Sequence, residues 1–406
     1  MILTIYGYPY HSTEYYFYDN DSLLQLFKTY NVLDNVDNIK KALNYIDGVF
    51  AVQIRYDDNE IWISDYYGLF PLFYNPTEQK VIINFMQDMN VEKNKNYIDM
   101  CDKNIDNKYH SNIPIKNKDA IVEMSIPNMI SIKNKIQKYL ITPFKDWYIL
   151  SPATIIYLKT KEKYMYTIDK GFYPEDIETI FINTIAKLSK NKSILIPLSA
   201  GYDSRCIFSV ATKYVSSFYR YTYGVEKEFV DSHFKYDNVI TDYTYNEQEI
   251  INQNILRMNG MDDIYYKTHN FHIQQYFKNF DILFTGDGAN EHLKQYKNLF
   301  KYFYATGDGH HYKTQAEKII TVPPYSQKRI ISNKTYYTTQ LDRQEFSKNI
   351  INLTNKDLLQ IPFYSGNVLT KNKASNYGHT FSFNTKLEYI HTYYKKYYRE
   401  VDNYET

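Results

Sequence analysis

Residues 194–198 read Ile-Leu-Ile-Pro-Leu, a short and nearly continuous apolar run. That pattern predicts a strand buried on both faces, as in a parallel sheet. The run breaks at Ser199-Ala200-Gly201, and Cys206, Ile207, Phe208, Val210 and Ala211 then supply one apolar face at helical spacing. The pattern therefore predicts a strand, a tight turn and a helix that begins near Asp203 or Ser204. A second apolar run, 280–284, enters the loop Thr285-Gly286-Asp287-Gly288-Ala289-Asn290-Glu291. Between them, 219–224 reads as another strand, 231–258 as polar and mostly helical, and 265–269 as a further strand.

Upstream the pattern is different. Residues 2–5 read as a strand followed by a polar tyrosine-rich stretch, and 23–30 and 39–45 space their apolar residues helically. Residues 48–55 alternate, 57–59 turn and 60–65 return, which predicts a hairpin, and 68–74 turn into a third strand. Residues 130–140 read as a short helix, the charged 159–164 as an interdomain connection, and 174–188 as an amphipathic helix with Pro174 in its first turn. The unmatched polar stretch 92–118 reads as an insertion or mobile loop.

Composition narrows the function classes. A chain of 406 residues is long enough for two domains with ample cores. Its 47 basic and 46 acidic side chains nearly cancel, so no nucleic-acid partner is expected. The 46 tyrosines accompany abundant Lys, Asn and Ile, a compositional bias rather than a binding surface. Cys101 and Cys206 are too few for a disulfide framework or a Cys-based zinc site, and fit a reducing cytoplasm. Residues 1–7 lack the features of a signal peptide, and no apolar run is long enough to span a membrane.

The chemistry lies at the ends of the two apolar runs. A strand, a turn of small and hydroxyl-bearing residues, and a helix N-terminus together form an anion cradle: backbone N–H groups point outward and the helix dipole favours negative charge. The alternative is an ordinary turn whose helix is capped by Asp203 or Ser204. No lysine follows the glycine, so this is not the G-x-x-x-x-G-K-[ST] phosphate loop. Two glycine-containing strand ends with carboxylates, in this order on an alternating α/β chain, suit one site at the carboxyl edge of a sheet. A second Thr-Gly-Asp-Gly at 306–309 lacks a clean strand before it, and His310-His311 lack a third metal ligand at suitable spacing.

The loop Ser199-Ala200-Gly201-Tyr202-Asp203-Ser204 resembles the S-G-G-x-D-S pyrophosphate loop of the ATP pyrophosphatases (PP-loop superfamily), most closely that of the asparagine synthetase family. Thr285 to Glu291 resembles that family's S-G-[DE]-G-x-D-E. Gly48, Phe50, Ala51, Asp65, Gly68, Pro71, Leu72 and Tyr74 resemble its N-terminal glutaminase-type domain, and 321–331 resembles its V-P-F-L-D-x-R-L-V segment more faintly. The resemblance implies an α+β N-terminal domain over 1–160, of degenerate Ntn-type glutaminase (class II amidotransferase-like) fold. Over 170–406 it implies an α/β ATP pyrophosphatase domain (HUP-like) with a parallel sheet and a helical C-terminal extension. It also implies that Leu198, Ser199, Ala200, Gly201, Asp203, Ser204, Tyr223, Thr285 and Gly286 bind ATP, and that Asp203 and Asn290 hold Mg²⁺. Asp203, Asp287, Glu291 and Lys371 (or Lys373, the alternative to both lysines being a solvated loop) would serve catalysis.

Three departures from the family qualify that reading. The family's N-terminal nucleophilic cysteine is replaced by Ile2, so glutamine hydrolysis is not expected. The family's glutaminase-less β-lactam synthetases and lasso-peptide cyclases share this kind of loss. Asn290 stands where the family has a magnesium-binding aspartate, and an amide oxygen coordinates without the charge. Ala200 replaces a glycine but keeps a small side chain. The expected activity is a cytoplasmic, ATP-dependent, AMP-forming amide ligase. It adenylates a small-molecule or peptide carboxylate and passes it to an amine or ammonia, with a homodimer compatible. The alternatives are a catalytically weakened nucleotide binder and, further off, an enzyme using a sulfur nucleophile.

Overall fold

The computed structural model describes residues 1–83, 140–142, 145–167, 175–222, 227–240, 274–286, 318–332 and 343–362. Among them the strands are β1 (Ile2–His11), β2 (Ile46–Tyr56), β3 (Asn59–Ser64), β4 (Phe73–Asn75), β5 (Lys80–Ile82), β6 (Leu140–Ile141), β7 (Tyr148–Ile149), β8 (Thr154–Tyr157) and β9 (Glu162–Met165) in the N-terminal part. The C-terminal part adds β10 (Ile194–Pro197), β11 (Phe218–Tyr221), β12 (Val239–Ile240), β13 (Ile282–Phe284) and β14 (Ile320–Val322). The helices are α1 (Asn20–Thr29), α2 (Val36–Leu43), α3 (Ile177–Leu188), α4 (Tyr202–Tyr214), α5 (Lys227–His233), α6 (Lys328–Ser332) and α7 (Arg343–Asn355).

The N-terminal part is antiparallel. One sheet runs β1-β2-β3-β8-β9 and a smaller one β5-β4-β7-β6. The alternation along β2 divides its contacts, because successive side chains leave opposite faces of a strand. Phe50, Val52 and Ile54 pack with Leu23, Phe27, Ile39 and Leu43 of α1 and α2. Val49 and Ala51 pack with Tyr74 and Val81 of the smaller sheet. Helices, large sheet and small sheet thus form three layers. At Gly48 (φ +120°) a Cβ would come within 2.4 Å of the Tyr8 carbonyl, so the close approach of β1 to β2 needs a glycine there.

Three expectations are corrected here. The polar tyrosine stretch after residue 5 continues β1 to His11, because it pairs in register with β2 all the way to His11↔Ile46. The 159–164 segment is no connection: its last three residues open β9, which pairs with β8 as the edge of the large sheet. Leu140, read as the end of a helix, is the first residue of β6. The 92–118 stretch, the rest of the 130–140 helix and the 265–269 strand lie outside the described residues, as does most of 231–258.

The C-terminal part carries a five-stranded parallel sheet, ordered β12-β11-β10-β13-β14. Helix α3 begins at Asp176, whose carboxylate accepts from the Thr179 N–H at 2.6 Å, and buries Ile177, Ile180, Phe181, Ile185 and Leu188 along one face. Strand β10 is central. The chain passes from it through α4 to β11 on one side, while β13 pairs on the other side as Ile194↔Ile282 and Leu195↔Leu283. That reversal is a topological switch point, where the loops after neighbouring strands open a crevice at the carboxyl edge of the sheet.

Gln327 and the first two residues of α6 join the two parts. Tyr67 donates its hydroxyl to the Gln327 carbonyl at 3.3 Å, and the Lys328 N–H donates to Asp47 at 3.1 Å. Lys328 Nζ donates to the Leu43 carbonyl. The Arg329 guanidinium donates to the Ser12 carbonyl, to the Tyr15 hydroxyl at 2.9 Å and to Glu175 at 2.6 Å. All three side chains of 327–329 are buried.

Candidate functional site

The loops that leave β10 and β13 meet at the switch point. Leu198 anchors the first: its N–H donates to the Tyr221 carbonyl at 2.8 Å, and its carbonyl accepts from the Thr222 hydroxyl at 2.8 Å. The chain then turns through Ser199, Ala200 and Gly201 into α4. The Ser204 hydroxyl accepts from the Ser199 N–H at 2.9 Å, and the two serine Oγ atoms lie 2.7 Å apart. Together they close the turn across the start of the helix.

The capping alternative is corrected by this geometry. Gly201, not Asp203 or Ser204, is the N-cap of α4, and no side chain caps it. A glycine N-cap brings no side chain of its own to the first turn, and the start of a helix at the mouth of a loop suits an anion. Asp203 is half-buried in that first turn. A carboxylate beside an anion cradle repels the anion unless a cation lies between them, and hard oxygen donors suit Mg²⁺.

The second loop comes against the first. A Cβ on Gly286 would lie 3.4 Å from the Ser204 nitrogen and 3.7 Å from the Asp203 carbonyl carbon, so the two loops touch. Thr285 is held by its N–H donating to the Val322 carbonyl at 3.1 Å. Its hydroxyl is buried and has no hydrogen-bond partner among the described residues. A buried orphan hydroxyl is unusual enough to need a reason, and a ligand oxygen would supply one.

The fold thus gathers Leu198, Ser199, Ala200, Gly201, Asp203, Ser204, Thr285 and Gly286 in one place. Tyr223, Asp287, Asn290, Glu291, Lys371 and Lys373 lie outside the described residues, as do Thr306, His310 and His311. Among the described residues no group of three His, Cys, Asp or Glu gathers around a point, so Asp203 is the one metal-binding candidate the described geometry bears on. Cys206 is fully buried, and burial pushes its thiol pKa up, which leaves it a poor nucleophile.

Two residues at this site have no signal in the sequence. Tyr325, fully buried, donates its hydroxyl to the Asp203 carbonyl at 3.1 Å and lies 3.3 Å from the Ser347 hydroxyl. Arg205, fully buried, reaches back to the Ala200 carbonyl at 2.8 Å.

The N-terminal motif residues do structural work. Asp65 Oδ1 accepts from the N–H groups of Tyr67 and Leu69, both at 3.0 Å, and Oδ2 from Phe70 at 2.7 Å. These bonds pull its pKa down but burial outweighs them, and it is pushed up to about 7. Ile2 is 68% exposed at the outer end of β1.

No protein-family model matches the chain, and no curated protein matches it significantly. Among the described residues, no helix is long and apolar enough to cross a membrane.

Proposed function

We propose that the chain is an ATP-dependent, AMP-forming amide ligase of the asparagine synthetase type, with a PP-loop domain after a degenerate glutaminase-type domain. The observation that carries this reading is the contact between two loops separated widely in sequence. Gly286 lies against the Asp203–Ser204 peptide at the switch point of a parallel sheet. Both loops resemble, in sequence, parts of one nucleotide site.

In this reading the turn at Ser199, Ala200 and Gly201 and the start of α4 hold the β- and γ-phosphates of ATP. The Thr285 hydroxyl donates to a phosphate or carboxylate oxygen. Asp203, with Asn290, would hold Mg²⁺, whose charge offsets that of the phosphates. The protein contributes orientation and electrostatic stabilisation while pyrophosphate leaves, the usual sources of rate in phosphoryl chemistry. The carboxylate, activated as its adenylate, then passes to an amine or ammonia with release of AMP, and Asp287, Glu291 and Lys371 are the further catalytic candidates. With Ile2 in place of a cysteine, the nitrogen comes from outside the chain or from the substrate itself.

The test is carboxylate-dependent ATP–pyrophosphate exchange across a library of carboxylates, followed by amine-dependent release of AMP. Exchange with at least one carboxylate, lost in Asp203→Ala, supports the proposal. ATP cleavage to ADP and phosphate would contradict it.

A further inference from the structure

Arg205 carries an interaction set that a packing residue does not need. Its Nη1 donates to the carbonyls of Leu358 at 3.2 Å and Ile361 at 2.7 Å, and its Nη2 to those of Ala200 at 2.8 Å and Pro362 at 3.0 Å. The rings of Tyr202 and Phe234 lie 5.0 and 5.2 Å from the guanidinium. Among the described residues no carboxylate pairs with it, and its Nε has no partner. A buried cation faced only by neutral carbonyls is costly, and an apolar side chain of similar volume would fill the space with less penalty.

The bond to Ala200 has a geometric consequence. The Ala200 carbonyl and the Gly201 N–H belong to one trans peptide plane and point in opposite directions. Drawing the carbonyl toward Arg205 turns the Gly201 N–H away from the guanidinium and toward the Ser199 hydroxyl, to which it donates at 3.3 Å within the turn. The other three carbonyls, of Leu358, Ile361 and Pro362, belong to the segment that follows α7.

We propose that Arg205 is a positioning residue of the nucleotide site: it sets the Ala200–Gly201 peptide plane, ties that turn to 358–362, and through its unneutralised charge strengthens binding of a polyanion it does not touch. This rests on the nucleotide reading above. It assigns to one side chain both the loop's shape and part of its charge.

The experiment is calorimetric titration of the full chain with inorganic pyrophosphate and with ATP and Mg²⁺. It compares wild type with Arg205→Met, Arg205→Lys and Ser209→Ala. Ser209 bonds Thr354 of α7, a few residues before the 358–362 segment, and makes no bond to Ala200. Arg205→Met is expected to weaken both ligands about tenfold, equivalent to about 1.4 kcal/mol. Arg205→Lys, which keeps the charge but not the fork, falls between Met and wild type. Ser209→Ala binds like wild type even where its melting temperature drops as far. Equal affinity in wild type and Arg205→Met overturns the inference and leaves the nucleotide reading standing, as does an equal loss in Ser209→Ala. Should Arg205→Met not fold, wild-type affinity in Arg205→Lys overturns it alone. A wild-type protein that binds neither ligand overturns the nucleotide reading and this inference with it.

Discussion

The Tyr325 hydroxyl donates to the backbone carbonyl of Asp203 at 3.1 Å, so the candidate metal-binding residue is held from below by a residue far along the chain. Tyr325 sits just before Gln327, Lys328 and Arg329, which are embedded in the N-terminal layers. A continuous run of buried contacts therefore links the Ser199–Gly201 turn to the antiparallel sheets. The N-terminal layers then have a physical role that needs no glutaminase chemistry: they seat the segment on which the turn rests.

Tyr325→Phe removes the hydroxyl and leaves the Asp203 carbonyl and Ser347 without it. A loss of about 1–2 kcal/mol is expected. The denaturation midpoint checks this, and the stabilisation by ATP and Mg²⁺ seen in thermal melts is expected to shrink as well.

Arg329→Met breaks three hydrogen bonds from one buried guanidinium at the junction. Hydrogen bonds to charged groups contribute about 1.5–3 kcal/mol each. The Glu175 side chain is 36% exposed, so its share is discounted for solvent screening. A loss of roughly 3 kcal/mol is expected, with earlier proteolytic cleavage between the two parts. A midpoint unchanged from wild type would remove the junction from this account.

Asp65 gives a pH dependence with a definite sign. Its folded pKa, about 7, lies above the unfolded value of 3.8, so the folded state binds the extra proton between them. Its contribution is fully present below about pH 4 and is lost as pH rises through 7. Stability is therefore expected to fall across that window. Asp65→Asn, neutral throughout, is expected to flatten the slope. An unchanged slope in the variant would show the carboxyl is ionised throughout.

Cys206 is fully buried, and its thiol pKa is raised by burial. In native protein an alkylating reagent is expected to leave the peptide containing Cys206 unmodified, and to label it after unfolding. Peptide mass spectrometry after a short exposure reads both outcomes.

The periodic parts of the fold were legible in the sequence. The apolar run at 194–198 is β10 with one residue beyond it, and the hairpin at 48–65 is β2 and β3. The turn at Ser199 and the loop at Thr285 were legible too, because small residues and glycine after a strand leave a chemical trace. The length of β1 was not, since Gly7 and Pro9 interrupt the tyrosines and pairing with β2 supplies what propensity lacks. Strand β9 was hidden by its charges, which an edge strand tolerates. Arg205, Tyr325, Lys328 and Arg329 were invisible for a deeper reason. Each is buried by partners distant in sequence, and no local pattern tells a buried Lys-Arg pair from a solvated one.

The most direct measurement is backbone hydrogen exchange of the full chain with and without ATP and Mg²⁺. Slowed exchange is expected in peptides covering 199–204 and 285–286, with both losing that protection in Asp203→Ala. Protection absent from these two loops, or present equally in Asp203→Ala, would contradict the nucleotide reading.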